Sequence, residues 1–153
     1  MSSCKLNCYQ VAQYFLAQMD EEAGDLISNL KLQKLVYYAQ GFALALLGRP
    51  LFPERIEAWT YGPVVSELYH EYRGYGSDPI PQPGEIDFSI YDVQTRELLD
   101  EVYAVYGQFS AWKLRDMTHS EPPWRDTPSG QEIQHDDLSC YFATRVARES
   151  ETA

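Results

Sequence analysis

The sequence predicts a mainly α fold, a single compact domain of about six helices with a small β-hairpin, spanning residues 1–153. Apolar residues recur at spacings of three and four in several segments, which is the pattern of an amphipathic helix. Between them lie only short stretches of β-branched and aromatic residues that favour a strand. With 153 residues and 44% apolar content, the chain can bury roughly two thirds of its unfolded surface in one core.

The first two predicted helices begin at capping residues. Asn7 is expected to cap the first helix, with Gln10 completing a capping box, and this helix runs to about Asp20. The second helix has the strongest periodicity in the chain, starts behind a cap at Ser28 or Asn29 and stops at Gly48. Its apolar stripe comprises Leu32, Leu35, Val36, Ala39, Phe42, Ala43 and Leu46.

An aromatic segment, "RIEAWTY" at residues 55–61, predicts a short strand. We expect residues 56–60 to pair with residues 132–134 in the hairpin. Pro63 is predicted to be the first residue of a third helix, with Gly62 before it where the chain must turn. The segment "GYGSDPIPQPG" at residues 74–84 ends that helix in a loop rich in Pro and Gly.

Three further helices are predicted in the second half of the chain. Asp92 opens one that closes at Gly107, Ser110 caps a shorter one, and the last begins after Asp136 and Asp137. Residues 85–90 are predicted to be extended, and "HSEPPWRDTPSGQ" at residues 119–131 is predicted to be a loop. Residues 146–153 are expected to form a frayed tail.

The charge balance argues against several classes of partner. The chain has 12 Lys plus Arg against 23 Asp plus Glu, a formal net charge of -11, so general attraction to phosphate backbones is absent and direct nucleic-acid binding is not expected. No apolar run reaches the ~20 residues that span a bilayer, so no membrane partner is expected. Two explanations of the charge remain: a solvated acidic surface, or a face complementary to a basic protein.

Cysteine usage and the start of the chain predict a cytoplasmic protein without a metal or cofactor. Cys4, Cys8 and Cys140 are an odd number of thiols with no signal peptide before them, which fits a reducing compartment. A structural zinc site needs four ligands, and these thiols with three scattered histidines do not supply two ligand pairs. Buried, weakly polar cysteines are the simpler interpretation.

Catalysis would have to centre on His119 and Glu121. The two lie beside each other in "THSEPPWR", and an acid–base couple there would make the protein a hydrolase or a nucleotide-modifying enzyme. The competing interpretation is structural, with His119 fixing a helix end and Trp124 filling the core. We prefer the structural interpretation and predict no catalytic residues.

An aromatic surface is the remaining hypothesis for function. Tyr and Trp are favoured at interfaces because each offers a large contact area with one polar group. The alternative for each of these residues is a core position with its polar end in water. The predicted partner-binding residues are Lys31, Lys34, Tyr37, Tyr38, Trp59 and Tyr61.

Three ordered blocks of sequence carry a family resemblance. They are "LKLQKLVYYAQGFALALLGRPLF" at residues 30–52, "EAWTYGPVVSELYHEY" at residues 57–72 and "FSAWKLRDMTHSEPPW" at residues 109–124. Together they resemble the Panacea domain of bacterial and phage antitoxins, also called SocA-like or GepA-like. The likeness extends from "VAQYFL" at residues 11–16 to Tyr141 and Phe142.

The resemblance implies an antitoxin of a toxin–antitoxin pair that neutralises a cognate toxin by direct protein contact. One branch of the family instead delivers its toxin to a Clp-type protease as an adaptor, so a protease is an alternative partner. Members are not known as enzymes. The family pattern includes the partner-binding candidates above except Tyr61, together with four residues of a structural motif, Gly62, Pro63, His119 and Trp124. This chain has Pro122 where the pattern commonly has Lys or Arg, which argues against an ionic role at that position.

The acidic surface is expected to capture a basic toxin, because complementary charge accelerates association. The groups expected to do so include Asp20, Glu21, Glu22, Asp25, Glu97, Asp100 and Glu101.

Overall fold

The computed structural model describes residues 6–20 and 26–152, and side chains as far as residue 146. The described chain is mainly helical with one two-stranded antiparallel sheet, which confirms the predicted fold class. Its helices are α1 Cys8–Gln18, α2 Asn29–Leu46, α3 Ser66–Tyr72, α4 Val93–Tyr106, α5 Ala111–His119, α6 Pro122–Arg125 and α7 His135–Thr152. Its strands are β1 Ile56–Trp59 and β2 Gly62–Val65, and short 3-10 turns occupy Arg73–Tyr75 and Phe88–Ile90.

Helix α2 is the centre of the fold. Helices α1, α4, α5 and α7 and strand β2 all contact it, so it is buried nearly all round and not on its apolar stripe alone. The polar Gln33 and Gln40 are fully buried and bond to backbone groups of neighbouring segments. Gln33 Oε1 accepts from the Val65 amide at 3.0 Å, and Gln40 Oε1 accepts from the Leu51 amide at 2.8 Å. These bonds satisfy groups whose burial would otherwise be costly.

Most predicted helix boundaries are confirmed. Asn7 and Gln10 form the capping box of α1, and Ser28, Asp92 and Ser110 cap α2, α4 and α5 with their side chains. The terminal amides of each helix lack intrahelical partners, and these side-chain oxygens accept from one of them. Helix α1 ends at Gln18, two residues before the expected boundary, and α7 begins at His135, so Asp136 and Asp137 lie in its first turn and not before it.

The predicted helix start at Pro63 is wrong. Gly62 and Pro63 begin strand β2, which pairs with β1 in the register Trp59–Gly62 and Ala58–Pro63, and helix α3 begins only at Ser66. Gly62 has a φ of 117°, a conformation that glycine adopts without a Cβ penalty. The chain therefore turns back at Thr60 and Tyr61 into an antiparallel strand.

Strand β1 is bonded on both edges, which explains how a proline fits into β2. The Ala58 amide donates to the Gln131 carbonyl at 2.9 Å, and the Ala58 carbonyl accepts from the Gly130 amide at 2.6 Å. Ala58 is opposite Pro63 in the sheet, and both backbone polar groups of Ala58 point away from β2. No hydrogen bond between the two strands would therefore use an N–H at position 63, so proline is tolerated there. The prediction that residues 132–134 form the hairpin with residues 56–60 is wrong, because the hairpin partner of β1 is β2; residues 132–134 contribute only a bridge between Glu57 and Glu132.

Other differences are local. The predicted loop at residues 119–131 contains the one-turn helix α6, with Pro122 and Pro123 in its first turn, and residues 85–90 include a 3-10 turn in place of an extended strand. Helix α7 continues to Thr152, over most of the range expected to fray. Within residues 6–20 and 26–152, no helix is both long and apolar enough to cross a bilayer.

Candidate functional site

The lysines predicted to face a partner lie inside the fold. Lys31 Nζ donates to the Gly107 carbonyl at 2.6 Å and so fastens α2 to the end of α4. Lys34 is fully buried, and its Nζ has no hydrogen-bond partner among the described residues. Burial, with a smaller contribution from Arg115, lowers the pKa of Lys34 to about 7. The expectation that these two lysines form a surface is therefore wrong.

Tyr37 and Tyr38 are also core residues, contrary to the surface prediction. Both are fully buried, and both donate to one carboxylate: Tyr37 Oη to Glu121 Oε1 at 2.9 Å and Tyr38 Oη to Glu121 Oε2 at 2.8 Å. Burial and the charge of Glu121 raise the pKa of both phenols, so each keeps its proton. Burial also raises the pKa of Glu121, and the phenol bonds partly oppose that effect.

Arg145 of α7 extends this buried network. Its Nη1 lies 3.9 Å from Glu121 Oε2 and 3.1 Å from Tyr141 Oη, and its Nη2 lies 3.4 Å from Tyr106 Oη. The Tyr106 ring stacks on Tyr38 with centroids 3.9 Å apart. The network thus connects α2, α4, α6 and α7, and its role is to hold these helices in one arrangement.

His119 and Trp124 form a stacked pair under the hairpin. Their ring centroids are 4.0 Å apart at an interplanar angle of 8°, and Trp124 Nε1 donates to the Trp59 carbonyl at 2.7 Å. Burial, followed by the positive charges of Arg115 and Lys34, lowers the pKa of His119. The pair therefore holds the α5–α6 segment against β1, although His119 Nε2 has no hydrogen-bond partner among the described residues and Trp124 is half-buried at the edge of the core.

His119 and Glu121 point to different surroundings. Glu121 bonds to the phenols of α2, while the His119 ring lies on Trp124, and no hydrogen bond between His119 and Glu121 occurs in the described part of the chain. A general base must reach the proton that it removes, and an orienting carboxylate must reach the base. The arrangement gives no support to an acid–base couple.

An exposed aromatic cluster lies at the hairpin turn and the start of α5. Tyr61 and Trp112 expose 53% and 59% of their surface, and their rings meet edge to face with centroids 6.1 Å apart. The Arg115 guanidinium lies 5.7 Å from the Tyr61 centroid and 5.2 Å from the Trp112 centroid, within the range of a cation–π contact. We call Tyr61, Trp112 and Arg115 the aromatic patch.

A cleft of about 360 Å³ lies beside the aromatic patch and shares Tyr61 with it. Trp59 and Tyr69 line it, with ring centroids 5.0 Å apart, and Gln33 and Gly130 also contribute. Of the six predicted partner-binding residues, the structure thus brings Trp59 and Tyr61 to a surface and buries the other four in the core.

The family follows from a comparison with known proteins. A family model described as "Antitoxin SocA-like, Panacea domain" matches residues 32–125, which is more than half of the 153 residues. The chain belongs to the SocA-like, Panacea-domain antitoxin family. A curated relative, Antitoxin SocA of Caulobacter vibrioides (strain NA1000 / CB15N), is 34% identical over 109 residues. That alignment covers 64% of this chain and 58% of the relative, and no solved structure matches.

The Panacea match covers the aromatic patch, Lys34 and the Tyr37–Tyr38–Glu121 network. Helix α7, with Arg145, lies outside the matched residues although it packs on α2. Within the described residues, no three His, Cys, Asp or Glu side chains are placed to hold a metal ion. Cys4 lies outside the described residues, and Cys8 is buried.

Sequence reasoning missed Trp112 and Arg115. A signal was available in the spacing of α5, because Leu114 is its apolar buried residue, Met117 packs beside it, and Trp112, two residues before Leu114, falls on the other face. A single exposed aromatic residue is ordinary, and only a contiguous exposed cluster suggests an interaction surface. The contact of Trp112 with Tyr61, which makes such a cluster in this Panacea domain, is visible only in the structure.

Proposed function

We propose that this chain is an antitoxin that neutralises a cognate protein toxin by direct contact through the aromatic patch, with no bond chemistry of its own. Family membership supports the antitoxin role in general. The observation that supports this mode of action is the exposed pair of Tyr61 and Trp112, held by Arg115 on a rigid fold.

The patch has the composition of an interface centre. Trp, Tyr and Arg are the residues most enriched among those that dominate binding energy. The edge-to-face contact and the guanidinium favour one arrangement of the two rings, which would reduce the side-chain entropy lost on association. The adjacent cleft at Trp59 and Tyr69 offers a depression for a protruding side chain of the toxin.

The absence of chemistry is proposed from the surroundings of the two catalytic candidates. Glu121 is engaged by Tyr37 and Tyr38 in the core, and His119 is covered by Trp124. His119→Phe keeps a flat ring on Trp124 and removes any proton transfer. An antitoxin that acts by contact keeps its activity in this variant, whereas an enzyme that depends on His119 loses it.

Co-expression with the neighbouring toxin gene tests the proposal. We expect pull-down of the toxin and restored growth with the unchanged protein, and an affinity loss of roughly 30-fold for Trp112→Ala, the effect of losing about 2 kcal/mol at an interface centre. Tyr75→Ala is the matched control, since Tyr75 is a 42% exposed aromatic residue outside the patch.

Two results would contradict this mode of action. One is equal affinity of the Trp112→Ala and Tyr75→Ala proteins for the toxin. The other is a fall in toxin level on immunoblots when the antitoxin is co-expressed, because neutralisation by contact alone leaves the amount of toxin unchanged.

A further inference from the structure

We propose that a groove between α2, α4 and α7 is a second docking site, which binds a basic amphipathic helix of a partner protein. The groove has a volume of about 540 Å³. It lies away from the aromatic patch and is not assigned by family membership. The inference goes beyond toxin neutralisation and does not depend on it.

The floor of the groove is apolar and rigid. Phe42, Leu98, Val102 and Tyr106 line it and are each nearly buried, so only narrow strips of these side chains reach the groove. The Phe42 ring is fixed against Phe142 with centroids 4.8 Å apart. A preformed apolar floor between helices is the setting in which the apolar face of a partner helix is bound.

One wall of the groove adds an exposed apolar residue. Leu46, in the last turn of α2, is 52% exposed and lines the groove beside Leu47. An exposed leucine next to a continuous apolar floor enlarges the surface that a partner can cover. Covering it removes apolar area from water, which is the main favourable contribution to association.

The opposite rim is acidic. Glu97 and Glu101 line the groove one turn apart on α4, both exposed. Among the described residues neither forms an ion pair. Two unpaired carboxylates at i and i+4 repel each other, and cations of a partner would relieve that repulsion.

These features together select a basic amphipathic helix. A helix with apolar residues at i, i+3, i+4 and i+7 fits an apolar floor, and Lys or Arg on its flank would meet Glu97 and Glu101. A second copy of this chain is a poor occupant, because its own groove carries the same acidic rim and each chain has a net charge of -11. Two such surfaces would repel each other.

The groove and the aromatic patch are separate sites. Lys34 lies beside Gly62 in the hairpin, whereas Leu46 lies at the groove. Leu46 is twelve positions after Lys34 on α2, which is about 18 Å along the helix axis at 1.5 Å per residue. A partner at the groove would therefore leave Tyr61 and Trp112 accessible.

A fluorescent peptide tests the groove directly. The probe is an 18-residue helical peptide with Leu at i, i+3, i+4 and i+7 and Lys on the flanks, and its partner probe has Glu in place of every Lys. By fluorescence anisotropy at low salt, we expect the full-length protein to bind the Lys peptide at least tenfold more tightly than the Glu peptide. Equal binding of the two peptides, or no binding of the Lys peptide, would overturn the proposal.

A pair of matched variants locates the binding. Glu97→Gln with Glu101→Gln removes two charges one turn apart on α4, and Glu67→Gln with Glu71→Gln makes the same change on α3, where both residues are exposed. Only the α4 variant is expected to weaken Lys-peptide binding, by roughly tenfold, the effect of losing two rim contacts of about 0.7 kcal/mol each. Equal effects of the two variants would show attraction to net charge alone and would refute the site.

The apolar part of the site has its own test. Leu46→Gln is expected to weaken Lys-peptide binding severalfold, and Leu26→Gln, at a 44% exposed leucine outside the groove, is expected to leave it unchanged.

The oligomeric state tests whether a second copy of the chain occupies the groove. Sedimentation of the unmodified protein is expected to show no dimer that forms through the groove. A concentration-dependent dimer that Leu46→Gln abolishes would replace the partner helix with a second copy and overturn the proposal.

Discussion

Two buried ionisable residues show how far the interior of this domain departs from a simple apolar core. Glu121 is surrounded by donors, from Tyr37 and Tyr38 and from the nearby Arg145, so its charge is compensated. Lys34 lies in the same interior without a hydrogen-bond partner among the described residues. The first arrangement stabilises the fold, whereas the second costs free energy at every pH at which the amine is charged.

Replacing Lys34 is expected to stabilise the protein in a pH-dependent way. Burial lowers the pKa of Lys34 to about 7, while an unfolded lysine titrates near about 10.4. Between these two pKa values the amine of Lys34 is protonated in the unfolded chain and neutral in the folded one, so the free energy of unfolding rises with pH through that window. Below the window the whole cost of burying the charged amine is present. Lys34→Met should raise the free energy of unfolding at pH 7 by at least about 2 kcal/mol.

Urea unfolding at several pH values measures this effect. The advantage of Lys34→Met over the unmodified protein should shrink by about 1 kcal/mol per pH unit between pH 7.5 and 9.5. Lys113→Met, at an exposed lysine of α5, is the control and should show little change. An advantage for Lys34→Met that is constant with pH would mean that the buried amine is not the cause.

Removing the Glu121 carboxylate is expected to be strongly destabilising. Glu121→Ala leaves the hydroxyls of Tyr37 and Tyr38 without their acceptor in the core, and we expect a loss of about 3–5 kcal/mol in thermal or urea unfolding. Glu85→Ala, at an exposed loop position, should change stability by less than about 0.5 kcal/mol. Similar losses for the two variants would mean that the network contributes little.

At the scale of elements, the hairpin and the long helix α2 depend on each other. The hairpin turn places Gly62 against the side chain of Lys34, and Gln33 of α2 bonds to the Val65 amide in β2. The segment at residues 130–133 bonds to the other edge of β1. This pairing buries a two-stranded sheet that would be marginal alone.

A side chain at Gly62 is expected to disturb this junction. A Cβ at Gly62 would lie 2.6 Å from Lys34 Cε and 2.9 Å from Thr118 Oγ1, and a φ of 117° is strained for any residue with a Cβ. We expect Gly62→Ala to lower the free energy of unfolding by about 2–4 kcal/mol. Gly74→Ala is the control, because a Cβ there has no heavy atom within 4 Å among those compared; equal stability of the two variants would contradict the argument.

At the scale of the whole molecule, charge is the dominant property. A net charge of -11 produces a long-range field that attracts basic partners and repels other copies of the chain. Of the acidic groups expected to take part, Asp20, Glu97, Asp100 and Glu101 are exposed, and Glu21, Glu22 and Asp25 lie outside the described residues. Such a field changes the association rate constant more than it changes the affinity.

Association with a basic toxin is therefore expected to depend on salt. Raising the salt concentration from about 50 mM to about 500 mM shortens the screening length from about 14 Å to about 4 Å, so the association rate constant should fall roughly tenfold, while the dissociation rate constant changes little. Stopped-flow or surface-binding kinetics measure both constants. An association rate that does not respond to salt would remove charge steering from the proposed function.

Local sequence patterns predicted five of the longer helices and most of their caps, because apolar spacing and side-chain oxygens at helix starts act over a few residues; they missed α6 and misplaced the start of α3. Asn7, Ser28, Asp92 and Ser110 were identified as caps for that reason. Periodicity also predicted the apolar stripe of α2, but not the burial of its remaining faces. Family resemblance supplied the antitoxin class, which local patterns do not encode.

The packing of distant segments sets which polar and aromatic residues reach the surface and which lie in the core. Lys34, Tyr37 and Tyr38 were predicted to be surface residues, but α5 and α7 pack on α2 and bury them, while Tyr61 and Trp112 stay exposed. Gly62 and Pro63 match a helix start locally, yet the bonds of β1 on both edges favour a strand. The physical reason is the same in each case: burial and strand pairing are set by segments distant in sequence, and their free energies exceed local preferences.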